Sequence, residues 1–284
     1  MTLRTLGLSV LGAASLLTLS ACQKEETPVP APEARPTAGG QPAIRAPEEK
    51  KEHAASPIQQ PEAAAPAAPA GNGVVKGTVS FTGTAPAAAD LPASNDPACQ
   101  GMAAKDVAVQ VKGGKLSNVV VRVLGTVQGA PAAPSTPVVV DQTKCTFQPR
   151  VQGAVAGQPV VFKNNDGTVH NVRGVTGTKS LFNVAQPPSG APVQKALPAD
   201  ADVLRLKCDI HPWMTAFVVT SPHPYFATTS EDGTFTLQGL PAGTYTLEAW
   251  HETLGKKTSQ VEVKEGTPVA VAFTFSDKDG AQTK

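Results

Sequence analysis

The chain has 284 residues, with 24 Lys and Arg against 23 Asp and Glu, so its formal charge is +1. That balance argues against nucleic acid as a partner, because phosphate binding needs a basic excess or a basic face. Aromatic residues make up only 5% of the chain, and 25 Gly and 27 Pro punctuate it. This composition argues against a helical bundle and for short strands joined by many turns.

The first segment opens with a basic Met1–Arg4 start and continues as a short apolar run to Leu19. The run is too brief to span a bilayer as an anchor and has the form of a secretory signal over residues 1–21. Its ending, Leu19-Ser20-Ala21-Cys22, resembles a bacterial lipobox, which implies that Cys22 becomes the lipidated N-terminus. Gln23, rather than Asp, follows that Cys, and the sorting pattern then implies delivery to the outer membrane, facing the periplasm or the cell surface. Residues 22–72 are rich in Pro, Ala, Glu and Gln and hold ten of the 27 prolines without one Phe, Tyr or Trp. Such a segment cannot bury enough apolar surface to offset its ordering entropy, so it is expected to be a disordered tether, with His53 a solvated side chain.

Over residues 73–277 the pattern changes to period two. Val75, Gly77, Val79 and Phe81 alternate with Lys76, Thr78 and Ser80, and Val119, Val121 and Val123 form a second run. Leu204, Leu206 and Cys208 alternate with Arg205 and Lys207, and Val269, Val271, Phe273 and Phe275 share one face. Turn signals at Gly113-Gly114, Asp166-Gly167, Asp232-Gly233 and Pro241-Ala242-Gly243 separate the runs. Many short strands with regular turns predict an all-β protein of antiparallel sandwich type, and the length accommodates two sandwiches.

The chemistry concentrates in Lys207-Cys208-Asp209-Ile210-His211-Pro212-Trp213-Met214. Cys, His and Met at three-residue intervals place a thiolate, an imidazole and a thioether on one loop. Thiolate and thioether suit Cu(I) and imidazole suits both copper oxidation states, whereas zinc seldom takes a thioether. Each residue alone has a plainer role, as a buried thiol, a loop imidazole or core filler; together they point to copper. A second histidine must come from elsewhere, and His170, beyond the Val160–Asp166 strand and polar loop, fits that need.

The stretches Phe147-Gln148-Pro149, Ala156-Gly157-Gln158, Asn164-Asn165-Asp166, His170-Asn171 and Cys208-x-x-His211-Pro212-x-Met214 resemble a cupredoxin of the amicyanin type over residues 136–221. The resemblance implies a Greek-key β-sandwich holding one type 1 copper ion, with His170, Cys208 and His211 as equatorial ligands and Met214 as the axial one. It also implies that Asn171 ties the two ligand loops together, and that His211, with Pro212 and Trp213, presents an imidazole edge in an apolar surface patch as the port for electrons. With Cys22 lipidated and Cys208 on copper, Cys99 and Cys145 remain. Three pairings among Cys99, Cys145 and Cys208 are open to sequence, and the copper motif favours Cys99 with Cys145 in an oxidising compartment.

Around this domain, Tyr225–Thr229, Glu231-Asp232-Gly233-Thr234-Phe235 and Leu240–Leu247 resemble a carboxypeptidase regulatory-like, transthyretin-type sandwich, whose opening strands would be Val75–Val79 and Asn118–Val123. The expected organisation is a discontinuous sandwich over 73–135 and 222–277, interrupted by the cupredoxin, with a tail over 278–284. The rival is two consecutive domains. His223, His251 and Glu252 match no justified ligand spacing, and His251 is expected to be packed in a core. Arg173 is expected as a solvated loop cation near the centre. Gly-x-Ser-x-Gly, Walker and His-Glu-x-x-His motifs are absent from the sequence. The expectation is therefore not an enzyme but a lipid-anchored envelope electron carrier, whose partner is a redox protein such as a cytochrome or oxidoreductase. The alternatives are a copper-delivery lipoprotein and a structural sandwich binding a glycan or protein.

Overall fold

The computed structural model describes residues 70–102 and 105–280. The signal segment, Cys22, Gln23 and His53 lie outside the described residues. Within them the protein is all-β, with eighteen strands and one short 3-10 turn at Pro97–Cys99. Four strands come first: β1 (Gly73–Thr82), β2 (Val111–Lys112), β3 (Lys115–Leu116) and β4 (Val120–Val123). Nine follow: β5 (Val138–Thr143), β6 (Thr146–Gln148), β7 (Val151–Val155), β8 (Pro159–Asn164), β9 (His170–Thr176), β10 (Lys179–Gln186), β11 (Val193–Ala196), β12 (Val203–Lys207) and β13 (Thr215–Ser221). Five close the fold: β14 (Phe226–Thr228), β15 (Thr234–Leu240), β16 (Gly243–His251), β17 (Gly255–Val263) and β18 (Val269–Ser276).

The first and last strands share two sheets. In one, β1 lies parallel to β18, with Val75 opposite Val269, and antiparallel to β15, while β3 and then β2 continue from its far end. The other runs β14-β4-β16-β17. Their inward period-two residues, among them Val75, Val79, Val121, Leu237, Leu247 and Phe275, make one core. Strands β5 to β13 build two further sheets, β11-β8-β5-β6 and β10-β9-β12-β13-β7, around a separate core of Val140, Phe162, Val172, Leu204, Leu206 and Val218. The chain thus leaves one sandwich after β4, completes another, and returns at β14.

A third apolar cluster joins the sandwiches. Val120 and Trp250 from the outer sandwich meet Val151 and Val219 from the inner one, with Phe217 and Phe226 packed beside them. Gly153 of β7 is required there, because a Cβ would sit 2.2 Å from a Phe226 ring carbon. Beside this cluster lies a buried ion group. Arg122 Nε donates to Glu248 Oε1 at 3.0 Å, and its Nη atoms donate to Glu248, to Asp202 and to the Thr220 carbonyl across the junction. Burial alone would lower the Arg122 pKa, but the Asp202 and Glu248 carboxylates outweigh it and hold the guanidinium above its ordinary value. A second bridge, Arg150 to Glu252, is bidentate at 2.6 and 2.8 Å. Strand β4 is consequently buried on both faces, so its Val/Arg alternation does not separate core from solvent.

Candidate metal centre

His170 opens β9, and the loop before it is shaped by its own side chains. Asn164 Nδ2 donates to the Thr168 carbonyl at 2.9 Å, and Asp166 N donates to Asn164 Oδ1 at 3.0 Å. Cys208 ends the run of β12, and Met214 immediately precedes β13. The loop between them is tied by Cys208 N to the Met214 carbonyl at 3.3 Å and by Met214 N to the His211 carbonyl at 2.9 Å. Strand β12 pairs with both β9 and β13, so the sheet itself brings the two loops to one end of the inner sandwich.

At that end His170, Cys208 and His211 converge, each offering a ligand atom within 4.8 Å of the others. His170 Nδ1 and His211 Nδ1 face each other at 2.9 Å, and Cys208 Sγ lies 3.7 Å from His211 Nδ1. Exposure is 0% for His170, 1% for Cys208 and Met214, and 2% for His211. Met214 packs in the same core cluster as Cys208. Cys208 is a free thiol, while Cys99 and Cys145 form the disulfide that the sequence favours.

The far nitrogens of both imidazoles meet carboxylates. His170 Nε2 lies 2.9 Å from Asp166 Oδ2, and His211 Nε2 lies 3.3 Å from Asp96 Oδ2. A carboxylate on Nε2 keeps the proton there and leaves Nδ1 as the lone-pair nitrogen, which is what a ligating imidazole needs. Burial pushes the His170 pKa below the ordinary imidazole value; the Asp166 bond opposes this shift and the nearby His211 charge adds to it. That direction favours the neutral imidazole that ligation requires. Asn171 Oδ1 accepts from Asp209 N at 2.7 Å and lies 3.3 Å from Cys208 Sγ, so it spans the two loops. A thiol, two imidazoles with converging Nδ1 atoms and a buried thioether form a donor set that fits copper.

Two expectations are corrected here. The imidazole edge of His211 is not part of an exposed apolar patch. It is covered by Asp96 and by Cys99, whose Sγ lies 3.5 Å from His211 Nε2. Large apolar side chains that stay exposed include Val169 and Ile210, each one residue before a histidine, and Met102, three residues after Cys99. Arg173 is not a loop residue: it stands on β9, with Nε 3.3 Å from Asp209 Oδ2, so its charge is balanced within the site's rim.

His223 and His251 do not approach the centre, and among the described residues no ligand cluster contains them or Glu252. His251 Nδ1 accepts from the backbone N of Thr253 and of Leu254, each at 3.2 Å, inside the outer sandwich. Sequence reasoning missed Asp96 and the partner role of Asp166. Asp166-Gly167 was legible only as a turn. Asp96 Oδ1 caps the Pro97–Cys99 turn through Ala98 N, a local role that does not point to His211.

Fold and site together define a two-sandwich β-protein with a buried Cys/His cluster suited to a metal. The carboxypeptidase regulatory-like domain family matches residues 215–276, from β13 to β18. Among solved structures, a purple cupredoxin from Nitrosopumilus maritimus is 20% identical, covering 30% of this chain and 99% of its own, with a TM-score of 0.27. A reduced amicyanin mutant is 20% identical, covering 35% of this chain and 99% of its own, with a TM-score of 0.28. A copper-containing nitrite reductase from Thermus scotoductus is 20% identical over 34% of this chain and 25% of its own, with a TM-score of 0.27. No curated protein matches the chain.

Proposed function

We propose that this chain is a copper protein that carries single electrons, with His170, Cys208, His211 and Met214 holding one type 1 copper ion. The observation that carries the reading is the convergence of both Nδ1 atoms and the free Cys208 thiol at one buried point. Copper bound there supplies one-electron Cu(II)/Cu(I) chemistry. The protein's part is to fix the ligands: Asp166 and Asp96 orient the imidazoles, Asn171 holds the Cys208 loop to the His170 strand, and the surrounding core excludes water. Four buried protein ligands leave no place for a substrate, which favours a carrier over an enzyme. Under the same reading the mature chain sits on the bacterial outer membrane through lipid on Cys22, handing electrons to a redox protein.

The test is the optical and EPR spectrum of the copper-loaded protein beside Cys208→Ser. An intense visible thiolate-to-copper band in the parent and its loss in the variant are expected; a band that survives the substitution overturns the ligand assignment. In cells, Cys22→Ser should release the protein from the membrane fraction with its spectrum unchanged, and membrane retention by that variant would overturn the anchor.

A further inference from the structure

The segment between β1 and β2, residues 83–110, leaves the outer sandwich and crosses to the metal end of the inner one. It buries almost nothing of its own. Among its described residues only Cys99 is buried, and the rest are exposed or intermediate. Val109, at its far end, packs against the outer core, but over residues 94–99 only Cys99 is buried, so apolar burial does little to hold that stretch in place. What holds it over the site is the Cys99–Cys145 disulfide, across 46 residues of sequence, and the side chain of Asp96. Asp96 uses both oxygens: Oδ1 caps the Pro97–Cys99 turn through Ala98 N at 2.9 Å. Oδ2 accepts from Thr168 Oγ1 at 2.5 Å, on the His170 loop, and faces His211 Nε2 at 3.3 Å. The disulfide sulfur itself sits against the same imidazole nitrogen, and Trp213 closes the side by donating Nε1 to the Cys145 carbonyl at 2.9 Å.

We infer that residues 94–99 are a cap, lent by the outer sandwich and clamped by the Cys99–Cys145 disulfide, that seals the His211 edge of the metal site and governs access to it. The inference rests on the copper reading only for its second readout. The cap blocks direct approach of a partner or chelator to His211, so release of metal requires the cap to lift. Lifting breaks the Asp96 contacts with Thr168 and His211 and the Cys99 contact with His211 and exposes little apolar surface besides Cys99, so the covalent link is what limits it. One physical consequence is an outer sandwich tied to the function of the inner one through the short stretch Asp96–Cys99.

The experiment uses the full chain with Cys99→Ala/Cys145→Ala and, separately, Asp96→Ala. The first readout needs no metal: carbethoxylation of His211 Nε2 by diethyl pyrocarbonate, followed by peptide mass spectrometry, with buried His251 as the internal control. The cysteine pair should raise the His211 rate by about tenfold or more with the His251 rate unchanged, as expected when a local opening replaces a clamped state. The second readout is transfer of Cu(I) from loaded protein to a Cu(I)-specific chelator, which should accelerate in the same variants. Equal His211 reactivity in parent and cysteine variant overturns the cap. If His251 also becomes reactive, the cysteine variant has misfolded, and Asp96→Ala decides: a several-fold rise at His211 supports the cap and an unchanged rate overturns it. Failure of the parent to bind copper at all would sink the electron-carrier reading, while the carbethoxylation rates would still decide for or against the cap.

Discussion

Replacing Arg122 by Met tests how the two sandwiches are held together. The guanidinium side chain is 8% exposed and so is that of Glu248, its partner at 2.7 Å. Met fills much of the same volume but leaves the Glu248 carboxylate buried without its main counter-charge, and the Thr220 carbonyl without its side-chain donor. Removing one partner of a buried pair costs roughly 3–5 kcal/mol. Lys256 Nζ remains 3.4 Å from Glu248 Oε2 and is 43% exposed, so it can move toward the carboxylate and hold the loss to the lower end, about 3 kcal/mol. Asp202, 54% exposed, is solvated once released and adds little. The assay is urea unfolding followed by fluorescence of Trp250, which sits in the apolar cluster at the junction. The paired variant Arg122→Met/Glu248→Leu should recover most of the loss, since a buried ion pair is often replaceable by apolar residues of similar volume. A loss under about 1 kcal/mol for the single variant, or no recovery in the pair, would show that charge burial at this junction is not what couples the sandwiches.

Two further outcomes follow from single side chains. Burial, with the charge of Arg150 adding, lowers the His251 pKa from 6.5 to about 4. Between those values the unfolded chain binds a proton that the folded chain refuses, so the stability that a neutral His251 permits is complete above about pH 6.5 and is lost as the pH falls toward 4. From pH 7.5 to 4.5 the parent should lose about 2.5 kcal/mol more than His251→Gln; parallel stability curves in urea titrations would refute the shift. Asp166 accepts from Lys144 N at 2.6 Å and Cys145 N at 2.9 Å besides meeting His170. Asp166→Ala should therefore weaken Cu(I) affinity on the order of 10–100-fold in a chelator competition, and an unchanged affinity would remove Asp166 from the site's support.

Why the candidate ligands were legible in sequence and their supports were not has a physical basis. Cys208, His211 and Met214 lie within seven residues, so local chain geometry alone forces them onto one loop, and their soft-donor chemistry names the metal class without a fold. His170 needed the sheet, but a strand running into a polar loop is a local signal too. Three disulfide pairings among Cys99, Cys145 and Cys208 were open to sequence, and the copper motif favoured the one the structure shows, Cys99 with Cys145. Arg122 shows the limit. In a Val-rich strand its charge marks the face opposite the core, which is correct, but period two cannot tell a face open to water from one buried under a second sandwich; its partner Glu248 stands 126 residues away. Asp96 is farther from view still. It lies 115 residues from His211 in a Pro- and Ala-rich stretch with no periodicity, where a turn cap accounts fully for an Asp before a Pro. Such a residue becomes visible only when the sandwich that carries it is seen to reach across, and this is also why the outer sandwich matters to the site. A module that merely preceded the inner sandwich would leave His211 open, whereas one that encloses it in sequence, with strands on both sides of it, has its β1–β2 connection positioned to close over the imidazole.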